Sequence, residues 1–333
     1  MKTRAAILVM IKQSLVVDEV VVPKLRRGQV LVKMKAAGLC RSQLSEINGW
    51  RGKDPYLPHL LGHEGSANVV KVGGGVEKVK RGDYVVVSWI KGSGMDAPGG
   101  LYEWKGKIVN SGGAAVFSQY AVVAENRVTK VSRKVPADVA AIIGCAVATG
   151  AGMVRHSLRA KKGSRLAIFG VGGIGASAVM AARQIGCKDV IAVDISKKKL
   201  AWAKKLGATE VKKAGQGKIA DLDYAVEATG LSEVMEQAFE ALNNTGTLVI
   251  AGHPKLGTKI KIDPYSLICG KRIIGTWGGE TVPDKDFPYY ARQYMSGKLP
   301  LKKLITHRYS LDKINAALKE LDRGDAGRII IEF

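Results

Sequence analysis

A chain of 333 residues that is 46% hydrophobic and 24% charged has material for two modest globular domains, and its composition excludes disordered and fibrous classes. Its 52 Lys and Arg outnumber 29 Asp and Glu, a net charge of +23, but the basic residues are scattered in short clusters such as Lys197–Lys199 and Lys302–Lys303. With no arginine-rich arm, basic–aromatic interleaving or finger spacing, this predicts a solvated basic surface with weak, salt-sensitive polyanion binding and no specific nucleic-acid recognition.

At the N-terminus, Arg4 is followed only by a short strand-like AILVM, so neither secretion nor membrane insertion is expected. Up to about residue 145, short alternating runs separated by glycines, among them Gln29–Lys35, Ala67–Val72 and Tyr84–Ser88, predict a small β-barrel. From Gly92 to Gly113 periodicity dissolves into a long glycine-rich loop of the length that usually serves function or an interface. Beyond Cys145 the character changes. Strands at Arg165–Phe169, Asp189–Val193, Tyr224–Glu227 and Gly246–Ala251 alternate with helices through Ile185, at Lys197–Leu206 and at Ser232–Leu242, the pattern of a parallel, doubly wound sheet. The chain closes with an amphipathic helix at Leu311–Asp322 and a strand at Arg328–Phe333. The predicted domains are a barrel from 1–146 and 277–333 and a dinucleotide-binding domain over 147–276.

Gly170–Gly175 reads GVGGIG between a strand and a helix, and Asp194 ends the next strand nineteen positions after Gly175. The glycines act differently. Gly170 permits the tight turn, Gly172 lets backbone N–H groups approach a pyrophosphate, and Gly175 lets helix and strand pack closely. Gly173 and Ile174 then open a helix whose free N–H groups and positive pole suit phosphate. Asp194 suits the two ribose hydroxyls of NAD and repels a 2′-phosphate, while the Lys197–Lys199 cluster keeps NADP possible.

The cysteines stand at 40, 145, 187 and 269 with no CxxC pair, which fits a reducing, cytoplasmic setting better than a disulfide framework. Cys40 and Cys145, with His63, would offer two thiolates and an imidazole and leave a fourth tetrahedral position open, as a catalytic zinc requires. Their separations in sequence do not by themselves unite them. Cys187 and Cys269 read as buried thiols.

The motifs CRS at 40–42, GHE at 62–64, GD at 82–83, FSQYAVV at 117–123, GCAVATG at 144–150, GVGGIG at 170–175 and ITH at 305–307 resemble, in order and spacing, the medium-chain zinc-dependent alcohol dehydrogenases. Several look closest to the classical zinc alcohol dehydrogenases and their glutathione-dependent formaldehyde-oxidising relatives. The resemblance runs from about residue 5 to the C-terminus. It implies a GroES-like β-barrel catalytic domain with a Rossmann coenzyme domain, NAD-linked oxidation of a small-molecule alcohol to an aldehyde or ketone, and a homodimer or homotetramer joined through edge strands.

On this resemblance Cys40, His63 and Cys145 are zinc ligands, with Glu64 behind them as a group that approaches the metal during ligand exchange. Ser42 holds the substrate oxygen and begins the proton relay. Arg41 and Arg328 meet the coenzyme pyrophosphate, Thr149 lies beside the nicotinamide, and Asp194 and Lys199 face the adenosine ribose. Trp50, Leu57 and Trp89 are candidates for the substrate pocket, each with core packing as the competing role.

The sequence also departs from the family. Relatives with a second, structural zinc hold it by four cysteines in the loop before FSQY, whereas 92–113 has none, so one zinc per chain is expected and the loop must be held by packing or by a neighbouring subunit. Ser45 replaces a relay histidine and cannot store a proton near neutral pH. Gln43 stands where a carboxylate often orients the zinc-bound imidazole, and an amide supplies less negative charge. The competing readings are a polyol or amino-alcohol dehydrogenase of the same family, a zinc-free enone or quinone reductase, and a dinucleotide- or polyanion-binding protein without turnover.

Overall fold

The computed structural model describes residues 1–333 and divides into two compact units, Met1–Cys145 with Val282–Phe333, and Ala146–Thr281. The C-terminal residues belong to the first unit because their last strand completes its larger sheet. There the long strand Gln29–Leu39 pairs antiparallel with Glu64–Val72 along one edge. Its other edge is shared, Gln29–Lys33 pairing with Tyr120–Ala124 and Ala36–Leu39 with Arg328–Glu332. The C-terminal strand also pairs in parallel with Ile305–Ser310, and parallel neighbours cannot be joined by a tight turn, so the chain must cross over between them. That crossover is a helix over Ile314–Asp322, preceded by a 3₁₀ turn at Leu311–Lys313, so the single helix expected from Leu311 begins one turn later. It buries Ile314, Ala317, Leu318 and Leu321, the spacing of one helical face.

A second sheet of this unit is ordered His59–Leu60, Lys2–Leu8, Val16–Val21, Tyr102–Trp104, Lys107–Val109. Its last two strands correct the expectation of an aperiodic loop over 92–113: a hairpin is built into it, with Tyr102 opposite Val109 and Trp104 opposite Lys107. The turn is Lys105–Gly106, with φ of 50° and 76°, the pair of positive dihedrals a tight two-residue hairpin needs. The rest of that loop is tethered by polar groups from distant parts of the unit. Glu125 accepts the Met95 N–H at 2.6 Å, Asp284 accepts the Ser93 N–H at 2.6 Å, and the Gln29 amide donates to the Pro98 carbonyl at 2.9 Å.

In the second unit six strands, all parallel, run in the order Glu210–Lys213, Asp189–Asp194, Arg165–Phe169, Leu222–Glu227, Leu242–Ile250, Arg272–Gly275. Arg165–Phe169, the first of these in the chain, is central and the order reverses there. That is the doubly wound sheet expected from the sequence, and its ligand crevice lies at the carboxyl ends of the strands flanking the reversal. Cys187 is buried as expected, but Cys269 is exposed. It follows the short helix Pro264–Ile268, which buries none of its residues, so the expectation of a buried thiol there is corrected.

The helical stretch Ala137–Ser157 has the length and hydropathy of a membrane span, yet 89% of its most apolar window is buried inside the protein. It is used as a core helix.

Candidate functional site

Three donors far apart in sequence are brought together in the first unit. Cys40 follows the strand Gln29–Leu39 and opens the helix Arg41–Ile47. His63 immediately precedes the strand Glu64–Val72, and Cys145 lies in a π-helical turn, Ile143–Val147, the kind of local irregularity that re-aims a side chain at functional positions. The two sulfurs and the imidazole nitrogen all lie within 4.8 Å of one another, a spacing that one ion with metal–sulfur bonds of about 2.3 Å and a metal–nitrogen bond of about 2.0 Å can bridge. Cys145 is buried and Cys40 half-buried. The Cys145 thiol beside it holds the Cys40 thiol well below the ordinary thiol range; burial opposes this, and the His63 ring and the Arg328 charge add to it. Two thiol sulfurs, one of them with a lowered proton affinity, beside one imidazole are the donors of an open zinc site.

The surroundings of the three donors are specific. Gln43, buried at 1% exposure, places its amide nitrogen 2.6 Å from His63 Nδ1 and accepts the Cys40 backbone N–H on Oε1 at 2.9 Å. Trp89 meets the His63 ring edge-on, centroids 6.5 Å apart and planes at 82°; its own carbonyl accepts from the Arg127 guanidinium. Ser42, two residues after Cys40, is half-buried and accepts from the Gln43 amide at 3.4 Å. Ser45 donates its hydroxyl back to the Arg41 carbonyl at 3.5 Å, while Arg41 itself is exposed.

Glu64 and Arg328 form a buried ion pair, at 0% and 4% exposure. Burial pushes the Arg328 proton affinity down, and the Cys40 thiolate pushes it back up. The register explains how the pair fits. Gly65 stands opposite Ala37 and Gly38 stands opposite Ile330, so the bare backbone of Gly38 lies between Glu64 and the C-terminal strand, and a Cβ there would run into the Glu64 carboxylate. The guanidinium expected to meet pyrophosphate is thus engaged with Glu64 and lies beside Cys40. Trp50 is 37% exposed in the turn after the helix, and Leu57 packs against the barrel core. Of the three pocket candidates, Trp89 packs edge-on against a metal donor, His63.

In the second unit the glycine loop has the geometry its sequence anticipates. Gly170 has φ of 92°, and a side chain there would meet Thr229 Cγ2 at 2.7 Å. Gly172 caps the helix Gly173–Ile185 and has open space around its Cα. Gly175 lies against the Gly170 carbonyl, with no room for a Cβ. Asp194 accepts the Val171 N–H at 2.8 Å and the Ser196 N–H at 2.9 Å, one on each oxygen, which fixes the carboxylate beside the loop. The Lys199 backbone N–H caps on Ser196, and Thr149 is buried in the helix Ala148–Gly152. Glu227, missed in the sequence, ends the strand beside Gly170; burial raises its carboxyl despite hydrogen bonds to Oε1 from the Thr229 hydroxyl and from the backbone N–H groups of Thr229 and Gly230. Its signal was an acid directly after the apolar Ala225–Val226 pair at the end of a strand.

Comparison with known proteins agrees with both halves. The family described as alcohol dehydrogenase GroES-like domain matches residues 26–133, and the zinc-binding dehydrogenase family matches residues 173–296. An alcohol dehydrogenase class-3 of Cereibacter sphaeroides is 30% identical over 380 aligned positions, covering 100% of both chains. The chain belongs to the medium-chain, zinc-dependent alcohol dehydrogenases. An S-(hydroxymethyl)glutathione dehydrogenase of Candida maltosa is 31% identical over 96% of this chain and 94% of its own length. Among solved structures, a benzyl alcohol dehydrogenase from Acinetobacter calcoaceticus superimposes with a TM-score of 0.91 at 29% identity, covering 100% of this chain and 99% of the other. The enzyme is therefore an oxidoreductase acting on CH–OH groups with a nicotinamide coenzyme, built from a GroES-like domain and a Rossmann domain.

Proposed function

We propose that this dehydrogenase interconverts a primary alcohol and its aldehyde with NAD as the preferred coenzyme and a single zinc per chain. The observation that carries the reading is the convergence of Cys40, His63 and Cys145, three donors from three separate elements, on one point. When bound, zinc polarises the substrate oxygen and the nicotinamide exchanges a hydride with the carbinol carbon. Ser42, two residues after Cys40 in the first turn of the helix and half-buried, holds the substrate hydroxyl and takes its proton. Ser45, three residues further along the helix, has its hydroxyl turned to the Arg41 carbonyl, so the proton leaves through water rather than through a side chain that stores it. Trp89 supplies an apolar wall beside His63, which keeps water from the reacting atoms.

The NAD preference rests on Asp194, whose carboxylate is fixed beside the loop by two backbone donors and would oppose a 2′-phosphate. The single zinc rests on the loop 92–113, where Glu125, Asp284 and Gln29 provide the tethers that a second metal would otherwise provide. The relatives' named substrates, S-(hydroxymethyl)glutathione and benzyl alcohol, both present a terminal CH₂OH group to be oxidised, which favours that class here. Self-association through the edge strand Arg272–Gly275 belongs to the same reading: Tyr265, Ile268 and Trp277, near it in sequence, are 70%, 80% and 70% exposed, an apolar surface of the kind subunit contacts cover.

The test is nicotinamide absorbance with zinc-replete protein across primary, secondary, aromatic and polyol alcohols, with NAD and NADP in parallel. Chelator-sensitive turnover of primary alcohols with NAD is expected. A Cys40→Ser protein that kept full zinc and full activity would sink the assignment.

A further inference from the structure

Gln43 is the third residue of the helix that Cys40 opens, and its buried amide spans two groups. Its Oε1 accepts the Cys40 backbone N–H at 2.9 Å, and its Nε2 stands 2.6 Å from His63 Nδ1. The backbone decides which end of the amide faces which neighbour. A peptide N–H can only donate, so the oxygen must face Cys40 and the NH₂ must face the imidazole. An amide NH₂ can likewise only donate, so Nδ1 of His63 must accept. In a neutral imidazole the proton then resides on Nε2, the nitrogen left to reach a metal.

This polarity opposes metal binding. A metal-bound Nε2 carries no proton, which moves the ring proton to Nδ1, where a ligating histidine normally donates it to a carboxylate or a carbonyl. Here Nδ1–H would point at the Gln43 NH₂, donor against donor. Turning the amide over would suit Nδ1–H and would let the Ser42 hydroxyl, 3.4 Å from the amide nitrogen, donate instead of accept. It would also set an NH₂ against the Cys40 N–H, at the residue that supplies another ligand. A carboxylate in this place accepts from both neighbours at once; an amide satisfies only one of them when zinc is bound.

We propose that Gln43 is a positioning residue that holds His63 in the Nε2–H tautomer and thereby weakens zinc capture, so that zinc occupancy follows the free zinc concentration over a range in which a carboxylate-backed site stays full. The proposal rests on the reading of Cys40, His63 and Cys145 as zinc ligands. Every zinc atom taken up breaks the hydrogen bond between the Gln43 amide and His63, and the proton displaced from Nε2 is relocated to Nδ1.

The experiment uses the full chain, wild type and Gln43→Glu, a substitution of equal length that replaces the donor with an acceptor. Metal-free proteins are titrated with zinc against a chromophoric chelator, and the His63 ring protons are located by two-bond ¹⁵N–¹H NMR before zinc is added. The Glu variant should bind zinc about 10–100-fold more tightly, the range over which such supporting contacts act. The ring proton should lie on Nε2 in the wild type, and the variant should place a proton on Nδ1. A wild-type ring with Nδ1–H overturns the proposal, as does ordinary zinc uptake with equal constants for the two proteins. No uptake by either protein overturns the zinc reading itself and the proposal with it, and is distinguished from the other failures because no zinc is bound at all.

Discussion

Replacing Arg328 by Met, which keeps an unbranched apolar stem and removes the charged guanidinium, tests the cost of the carboxylate it neutralises. Glu64 is fully buried and Arg328 is 4% exposed, so neither charge is screened by solvent. Removing one partner of such a pair costs about 3–5 kcal/mol, because the other is left as an uncompensated buried charge. For a unit of about 200 residues, each kcal/mol moves the melting temperature by about 2–4 °C, which predicts a fall of about 6–20 °C in scanning calorimetry of the metal-free protein. The same reasoning makes the double variant Arg328→Met, Glu64→Gln more stable than the single one, since both charges are gone and the amide keeps hydrogen-bonding capacity. A single variant that melts within about 2 °C of wild type, or a double variant no more stable than the single one, would refute the claim that this ion pair is what makes Glu64 tolerable in the core. Because the measurement needs neither coenzyme nor zinc, it separates the structural role of Arg328 from any contact it makes with a pyrophosphate.

Gly38→Ala should destabilise the same region by about 1–3 kcal/mol, as overpacking against a fixed group does, because its Cβ would meet the Glu64 carboxylate; measured by chemical denaturation in a Glu64→Ala background, the same substitution should cost less than it does in the wild type. In the coenzyme loop, Gly172→Ala, with nothing near its Cβ, should leave the melting temperature nearly unchanged while weakening NAD binding in a fluorescence titration, whereas Gly175→Ala should lower both, having the Gly170 carbonyl in its way. The tethered loop should loosen in acid. Burial alone would raise the Glu125 and Asp284 carboxyls, but hydrogen bonds from the backbone N–H groups of Lys78, Met95 and Glu77 to the first, and from Lys78 and the Ser93 N–H to the second, hold both below their ordinary values of 4.5 and 3.8. Their contribution is therefore complete above about pH 5 and is lost as the pH falls through the lowered values. Hydrogen exchange over residues 92–113, corrected for its intrinsic pH dependence, should show protection that drops below about pH 4 and is flat from about pH 5 to 8.

What could be read from the chain alone follows the range over which each feature is determined. The glycine loop was legible because its constraints are local: a strand, a positive φ at Gly170 and a close approach at Gly175 all fall within a dozen residues. The metal donors were legible as residue types but not as a cluster, since Cys40, His63 and Cys145 are united only by the pairing of Gln29–Leu39 with Glu64–Val72 and by a π-turn that no periodicity announces. The hairpin at Tyr102–Val109 was missed because its turn puts a lysine, Lys105, at φ of 50°, where Asn or Gly would have signalled it. Glu125 and Asp284 were missed for a different reason: their partners lie 30 and 191 positions away, and a carboxylate that accepts distant backbone N–H groups leaves no trace in local pattern. Gln43 lies between these cases. Its departure from a carboxylate is visible in the sequence, but the direction of its hydrogen bonds is not, because that direction is imposed by the Cys40 N–H at the start of the helix. A substitution that reads as a loss of charge is, once the backbone fixes the amide, a reversal of donor and acceptor at the ring that must bind the metal, and the two readings predict different things for Gln43→Asn. If charge alone mattered, Asn would leave zinc affinity unchanged. If polarity matters, the shorter amide that cannot span both groups frees His63 Nδ1 from its opposing donor, and zinc affinity rises.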